Sequence, residues 1–269
     1  MTAEIETMLP LYEAKMIAAY DHRAADVVKS ETATKRQNQP RYLTTFEHQD
    51  VTRVALPYYW VAEEDMPERE DEWLLAFLRI TSATNHRTFI SSALPWSAAG
   101  DSVFLAHADT KPSCLLACFN SFVFDFVSRQ KISGLNMLFY IVRQLPVPTP
   151  QQLAMPFTWT GDKTIADWID QRVLELTYTA HDMQDFGESL NESGEVFVWD
   201  EDRRSYIRAE LDAAFFRLYG IERDDVDYIM DTFPIVKRKD EAEHGEYHTK
   251  RLILEVYDRM SDLPEQRSV

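Results

Sequence analysis

The chain has 269 residues, 45% of them hydrophobic, which is enough for one large buried core or two small ones. Its formal net charge of −17 is unevenly spread: residues 1–150 carry 14 basic and 18 acidic side chains, whereas residues 151–269 carry 14 and 27. A field of that sign does not steer a protein to nucleic acid, so any such contact is expected at a local basic patch in the first half.

No apolar run reaches the ~18–20 residues of a membrane span, and the polar, acidic N-terminus lacks signal-peptide architecture. A cytoplasmic protein with no membrane partner is expected. Cys114 and Cys118 sit four apart on an apolar stretch with nothing nearby to complete a tetrahedral metal set, so they read as buried small hydrophobes in a reducing compartment.

Residues 9–23 (LPLYEAKMIAAYDHR) place Leu9, Tyr12, Met16, Ile17 and Tyr20 at helical spacing, while Pro10 and the tyrosines equally allow a strand and loop. Residues 31–41 are polar and basic and read as a mobile loop. Residues 51–61 are β-rich, with Pro57 demoting them to an edge or bulge, and the acidic residues 63–72 form a solvated connection. Residues 73–80 and 88–94 flank the polar turn Thr84-Asn85-His86-Arg87 and predict a β-hairpin, although the first run is also compatible with a short helix. A short strand is expected at 103–105.

The stretch 114–150 organises the chain. Leu115, Leu116, Phe119, Phe122, Val123, Phe126 and Val127 have the spacing of a buried helix face. Ser128, Arg129, Gln130 and Lys131 then break the stripe, and Gly134 offers a helix-ending position. Residues 138–142 form an apolar run of strand length, closed by Pro146, Pro148 and Pro150. Helix, basic loop, buried strand and proline exit are expected in that order.

Past Pro150 the signals turn helical, at 164–181, 200–219 (ended by Gly220), 224–232 (stopped by Phe233 and Pro234) and 249–260, with a frayed acidic tail after Ser261. The predicted class is α+β, a mixed α/β domain over 1–150 followed by a helical, acidic domain over 151–269.

Catalytic motifs are missing from the sequence. No two of the seven glycines form a GxG, which removes phosphate-cradling loops and the dinucleotide fingerprint, together with the glycine-rich loop on which adenosylmethionine lies. There is no GxSxG elbow and no Asn-Pro-Pro-aromatic turn to hold an extruded base. Glu13 and Lys15 have the spacing of part of a nuclease metal site but lack a suitable upstream acid. His244 and His248 bracket a glycine that favours a charged turn, and Asp224, Asp225 and Asp227 suit a helix start. No catalytic or metal residue is assigned.

The cations of the first half are more informative. Arg23, Lys35, Arg36, Arg41, Arg53, Arg79, Arg87, Arg129, Lys131 and Arg143 fall mainly in loops or at element ends. They are interleaved with Tyr12, Tyr20, Tyr42, Tyr58, Tyr59 and Trp60. An arginine-bearing loop can read guanine in a groove while other cations hold phosphates.

LPLYEAKMIAAYDHR, RITSATNHRTFISSALP and LLACFNSFVFDFVSRQKISGLNMLFYIVRQLPVP together resemble the target-recognition region of large adenine-specific DNA methyltransferases. These are the fused type II restriction–modification enzymes and the phage-defence methyltransferases of the BREX and DISARM kind. AELDAAFFRLYGIERDDVDYIMDTFPIVKRKDEAEHGEYHTKRLILEVYD is similar to their C-terminal helical segment. The most specific blocks are 85–88, 120–134 and 209–234.

The resemblance implies a target-recognition-like domain and a C-terminal segment without the catalytic domain, not an enzyme by itself. S-adenosylmethionine would bind a methyltransferase domain upstream, in cis or in trans, while this part holds double-stranded DNA as the target adenine is flipped out. Carried over to this sequence, the expected DNA contacts are Tyr12, Lys15, His22, Arg23, Asn85, His86, Arg87, Thr88, Arg129, Lys131 and Asn136. Trp96 departs from the family, which often has a basic residue there. A reading from a different class is a protein–protein interaction module docking through its acidic helical half.

Overall fold

The computed structural model describes residues 6–35, 37–69 and 72–261, so the expected frayed tail lies outside the described residues. The fold is α+β. The strands are β1 (Met8–Tyr12), β2 (Ala25–Lys29), β3 (Asn38–Tyr42), β4 (Trp60–Ala62), β5 (Trp73–Leu78), β6 (Ser91–Pro95), β7 (Ala98–Ala99) and β8 (Val103–Ala106). The helices are α1 (Thr45–Gln49), α2 (Pro112–Asn120), α3 (Phe122–Lys131), α4 (Phe139–Val142), α5 (Pro150–Leu153), α6 (Ile165–Thr177), α7 (Gln184–Ser189), α8 (Glu201–Leu218), α9 (Arg223–Asp231), α10 (Pro234–His244) and α11 (His248–Ser261).

Two compact units interleave along the chain rather than dividing at Pro150. The first takes Met1–Ile80, Ile90–His107 and Leu174–Trp199; the second takes Thr81–Phe89, Ala108–Val173 and Asp200–Val269. The reason lies in α2 and α3. Their apolar faces are completed by helices, and α3 packs against α8 and α9, so this part of the first half joins the helical unit.

All the described strands belong to the first unit. They form a β4-β1-β7 sheet, a β2-β3 ribbon and a β6-β5-β8 sheet. β1 is antiparallel to β4, with Leu9 opposite Val61, and parallel to β7, with Leu11 opposite Ala98. The ambiguous residues 9–23 thus begin as a strand, followed by a 3-10 turn at Ala14–Met16. The predicted hairpin is present as β5 against β6, with Leu75 opposite Ala93, and the short strand expected at 103–105 is β8 on the other side of β5.

The expected loop at 31–41 is corrected at its end, because Asn38 to Arg41 pair with β2 as an edge strand whose side chains can stay polar. Tyr12, Met16, Ile17, Val27, Leu74, Ala76, Leu94 and Val103 make the core of this unit.

In the second unit the expected single helix from 114 is two helices. Ser121 is extended (φ −73°, ψ 149°) and its hydroxyl accepts the Phe124 N–H, so it ends α2 and caps α3. The buried strand expected at 138–142 is instead the short helix α4. Its carbonyls are satisfied locally, Leu138 accepting from Ile141 and Phe139 from Arg143, so no partner strand is needed.

The C-terminal helices follow the sequence closely. Asp200 caps α8 by accepting the Arg203 N–H, and Gly220 at φ +66° closes it. Helix α10 was not expected: Pro234, read as a stop for α9, stands in its first turn as a start. Among the described residues no helix is long and apolar enough to cross a membrane.

Candidate nucleic-acid interface

Asp125 is the fixed point of the second unit. It lies in the apolar run Phe122-Val123-Phe124-Asp125-Phe126-Val127 on α3 and is 0% exposed. A carboxylate buried there requires partners, and it has four. Its Oδ2 accepts from Arg87 Nε at 2.8 Å, from the Thr88 N–H at 2.9 Å and from the Phe89 N–H at 3.3 Å. Its Oδ1 accepts from Arg129 Nε at 2.9 Å, one helical turn along α3.

The two arginines extend the network to the rest of the unit. Arg129 donates to the carbonyls of Asn85 (2.9 Å), His86 (3.2 Å) and Thr232 (3.3 Å), and its guanidinium lies 4.0 Å from the centre of the Phe233 ring. Arg87 donates to the Asn120 carbonyl and lies 4.1 Å from the centre of the Phe122 ring. The Phe122 N–H donates to Asp212 Oδ1 at 2.7 Å. Burial pushes the Asp212 carboxyl up to about 7, against the nearby Arg87 charge and that hydrogen bond. Segments 85–89, 120–129 and 212–233, far apart in sequence, therefore meet on one buried ionic network.

This arrangement sorts the expected DNA contacts of the unit. Thr88 is buried, its hydroxyl donating to the Ser82 carbonyl and accepting from Arg129. Arg87 and Arg129 have side chains only 12% and 10% exposed, and their guanidinium groups are engaged inside the fold. Asn136 is half-buried, whereas Asn85, His86 and Lys131 are exposed. Partial burial and then the Lys239 and Arg87 charges push the His86 imidazole down to about 4, so it is neutral at pH 7.

The first unit buries three of its four expected contacts. Tyr12 is 2% exposed, and burial followed by the Asp182 and Asp21 charges raises its phenol well above the usual value. His22 is 1% exposed, with Nε2 at 3.0 Å from Asp182 Oδ2. Arg23 is 0% exposed: Nη1 donates to the carbonyls of Asp50 (2.9 Å) and Arg53 (2.8 Å), and Nη2 to those of His48 (2.7 Å) and Thr179 (2.8 Å). It fastens loops of the first unit together, and a groove cannot reach it.

Lys15 remains accessible. It pairs with Glu13 at 3.1 Å, donates to the Asn38 carbonyl at 3.0 Å and lines an open depression of about 570 Å³ with Gln37, Asn38, Gln39 and Pro40. Among the described residues no group of three or more His, Cys, Asp or Glu could hold a metal ion. Cys114 and Cys118 are buried and unpaired with each other, and burial raises both thiols.

Comparison with protein-family models, with curated proteins and with solved structures found no match.

The sequence reading missed a basic run, Lys237-Arg238-Lys239, exposed on α10. The charge of Lys239 depresses the His86 imidazole, so the end of this run lies near the 85–86 turn. Its signal was present as three consecutive cations in a strongly acidic half, but with α10 unrecognised they had no surface to belong to.

Proposed function

We propose that this chain is the DNA-target-recognition and C-terminal segment of a restriction–modification or phage-defence adenine-N6 DNA methyltransferase, with methyl transfer carried out by another domain in cis or in trans. The observation that carries this reading is the convergence of its three most specific resemblance blocks on Asp125 and Asp212. That convergence holds the 85–87 turn by its carbonyls and leaves the Asn85 and His86 side chains exposed, with Lys239 nearby. Asparagine is suited to bidentate recognition of adenine, and neighbouring cations suit phosphate.

In this reading Asn85 and His86 contact base edges, while Lys131 and the 237–239 run neutralise backbone phosphates. Arg87, Arg129, Thr88, Tyr12, His22 and Arg23 support the surface from within. S-adenosylmethionine would bind the methyltransferase domain, whose glycine-rich loop has no counterpart in this sequence.

Gel-shift titration of varied duplexes, with and without that domain, tests the proposal. Expected is salt-dependent duplex binding that Lys239→Glu weakens while the thermal midpoint is unchanged. Absence of duplex binding under both conditions at low salt would overturn it and favour protein docking through the acidic helices.

A further inference from the structure

Between Asp125 and Asp162 the sequence contains no acidic residue, in a chain of net charge −17, and it carries Arg129, Lys131 and Arg143. The middle of this stretch alternates between anchors and exposed apolar groups. Ile132, Met137, Ile141 and Leu145 are buried, at 8%, 0%, 5% and 6% exposure. Between them Leu135, Phe139 and Tyr140 are 66%, 49% and 62% exposed. The Leu135 carbonyl accepts the Thr81 N–H at 3.0 Å, and α4 closes on its own backbone bonds, so the segment is held at several points. On this anchored segment Leu135 and Tyr140 are mostly exposed and Phe139 about half exposed, an apolar surface of the kind that marks a contact site.

Charge indicates what they are presented to. Arg143 follows Phe139 by four residues and Tyr140 by three on the turn of α4, the spacing that places side chains on one helix face. Lys131 ends α3, one residue before the first anchor. Both cations are exposed, and neither forms an ion pair with a described residue. Exposed apolar side chains flanked by two exposed cations, on a stretch of chain that itself carries no carboxylate, are complementary to a polyanion with apolar layers inside it.

We propose that residues 132–145 form a wedge for duplex DNA, in which Phe139 and Tyr140 insert at a base step and stack on the exposed bases while Lys131 and Arg143 hold flanking phosphates. This rests on the DNA reading above and deepens it, by assigning the side chains that deform the duplex.

The test uses the full chain. Short duplexes are first enriched from a random pool at low salt, then rebuilt with 2-aminopurine at successive positions to report unstacking. Expected is a fluorescence rise at one step on binding. Phe139→Ala with Tyr140→Ala should abolish the rise and weaken binding by about 10- to 100-fold, the loss expected for removing aromatic stacking on a base. Lys131→Ala with Arg143→Ala should lower the slope of log affinity against log salt by about 2. Both double variants change exposed side chains, and an unchanged thermal midpoint verifies their fold.

Binding by the wild-type chain with no rise at any position, or an unchanged rise and affinity in the aromatic double variant, would overturn the wedge while leaving DNA recognition intact. Failure to enrich any duplex, both for the chain alone and with the methyltransferase domain added, would overturn both. Self-association of the wild type that the aromatic double variant abolishes, with DNA affinity unchanged, would make the face a contact between copies and would also overturn the wedge.

Discussion

Replacing Asp125 by alanine should be among the most damaging single changes in the second unit. The carboxylate is 0% exposed and receives Arg87 and Arg129 at 2.8 and 2.9 Å, and the amides of Thr88 and Phe89 at 2.9 and 3.3 Å. Removing it leaves two guanidinium groups, with side chains 12% and 10% exposed, held by carbonyls, aromatic rings and, for Arg129, the Thr88 hydroxyl. Breaking a buried charge pair from one side costs about 3–5 kcal/mol. The remaining carbonyl bonds and water drawn into the gap reduce that cost, whereas the two unmet amides add to it, so a loss of about 4 kcal/mol is expected. That is a large share of the ~5–15 kcal/mol by which domains of this kind are stable.

Asp125→Asn keeps an acceptor for the amides but turns a neutral NH₂ towards an arginine, and should lose roughly half as much. Urea unfolding followed by far-ultraviolet circular dichroism measures each loss. Arg87→Ala combined with Asp125→Ala should cost at least about 1 kcal/mol less than the sum of the single changes, because both remove the same pairing. A loss below about 1 kcal/mol for Asp125→Ala, or strict additivity in the cycle, would refute the assignment of this carboxylate as the anchor of the network.

Arg23→Lys should destabilise the first unit by about 3 kcal/mol in the same urea assay, because one ammonium cannot span four carbonyls that a planar guanidinium reaches from two nitrogens; a change near zero would contradict its keystone role. Asp212 keeps its proton to about 7 in the folded chain, whereas the unfolded chain releases it near the ordinary carboxyl value of 3.8. Stability should therefore fall as pH rises from about 4 to 7, by up to roughly 4 kcal/mol, and Asp212→Asn should flatten that slope. Thermal melts across this range test it, and parallel wild-type and variant profiles would count against it. Under the DNA reading, changing Lys237, Arg238 and Lys239 together to Gln should reduce the salt slope of duplex affinity by about 2–3 with no shift in thermal midpoint, which titration at several salt concentrations measures.

The regular parts of the fold were legible because they repeat. Helix α8 runs for five turns between a capping Asp200 and a closing Gly220, with its apolar residues from Tyr206 to Leu218, and β5 and β6 announce themselves by paired apolar runs around a polar turn. Short elements were not legible. Four apolar residues at α4 fit a strand period and a helix period equally, and what decides is that none of the described strands pairs with them. The proline before α10 has the same ambiguity, since the ring that ends one helix pre-sets the backbone angle for the first turn of the next. The interleaving of the two units was invisible for another reason: a linear boundary at Pro150 presumes that neighbours in sequence share a core, whereas α3, against which α2 packs, completes its core with α8 and α9.

For the candidate site, residue types were legible but their directions were not. An arginine written in a loop has the same letter whether its partner is a phosphate outside or a carboxylate within. The deciding signal was Asp125 itself, an acid in the middle of an apolar helix face, which can be buried only if cations come to it. Arg129 stands four residues along the same helix, and Arg87 arrives from the turn.

That geometry separates support from contact. Because Arg129 grips the carbonyls of Asn85 and His86, the turn is fixed while the side chains of those two residues remain outside. Substitutions at 87 or 129 must therefore act through stability first, and weaker DNA binding in such variants would say nothing about groove contact. Substitutions at 85 and 86 lack that ambiguity. With its imidazole near 4, His86 is uncharged at neutral pH in the free chain, available as a hydrogen-bonding group. Under the DNA reading, His86→Ala should change the preference among duplexes while leaving the salt slope of affinity where it was; a slope lowered by about one phosphate's worth would instead place His86 on the backbone as a charge.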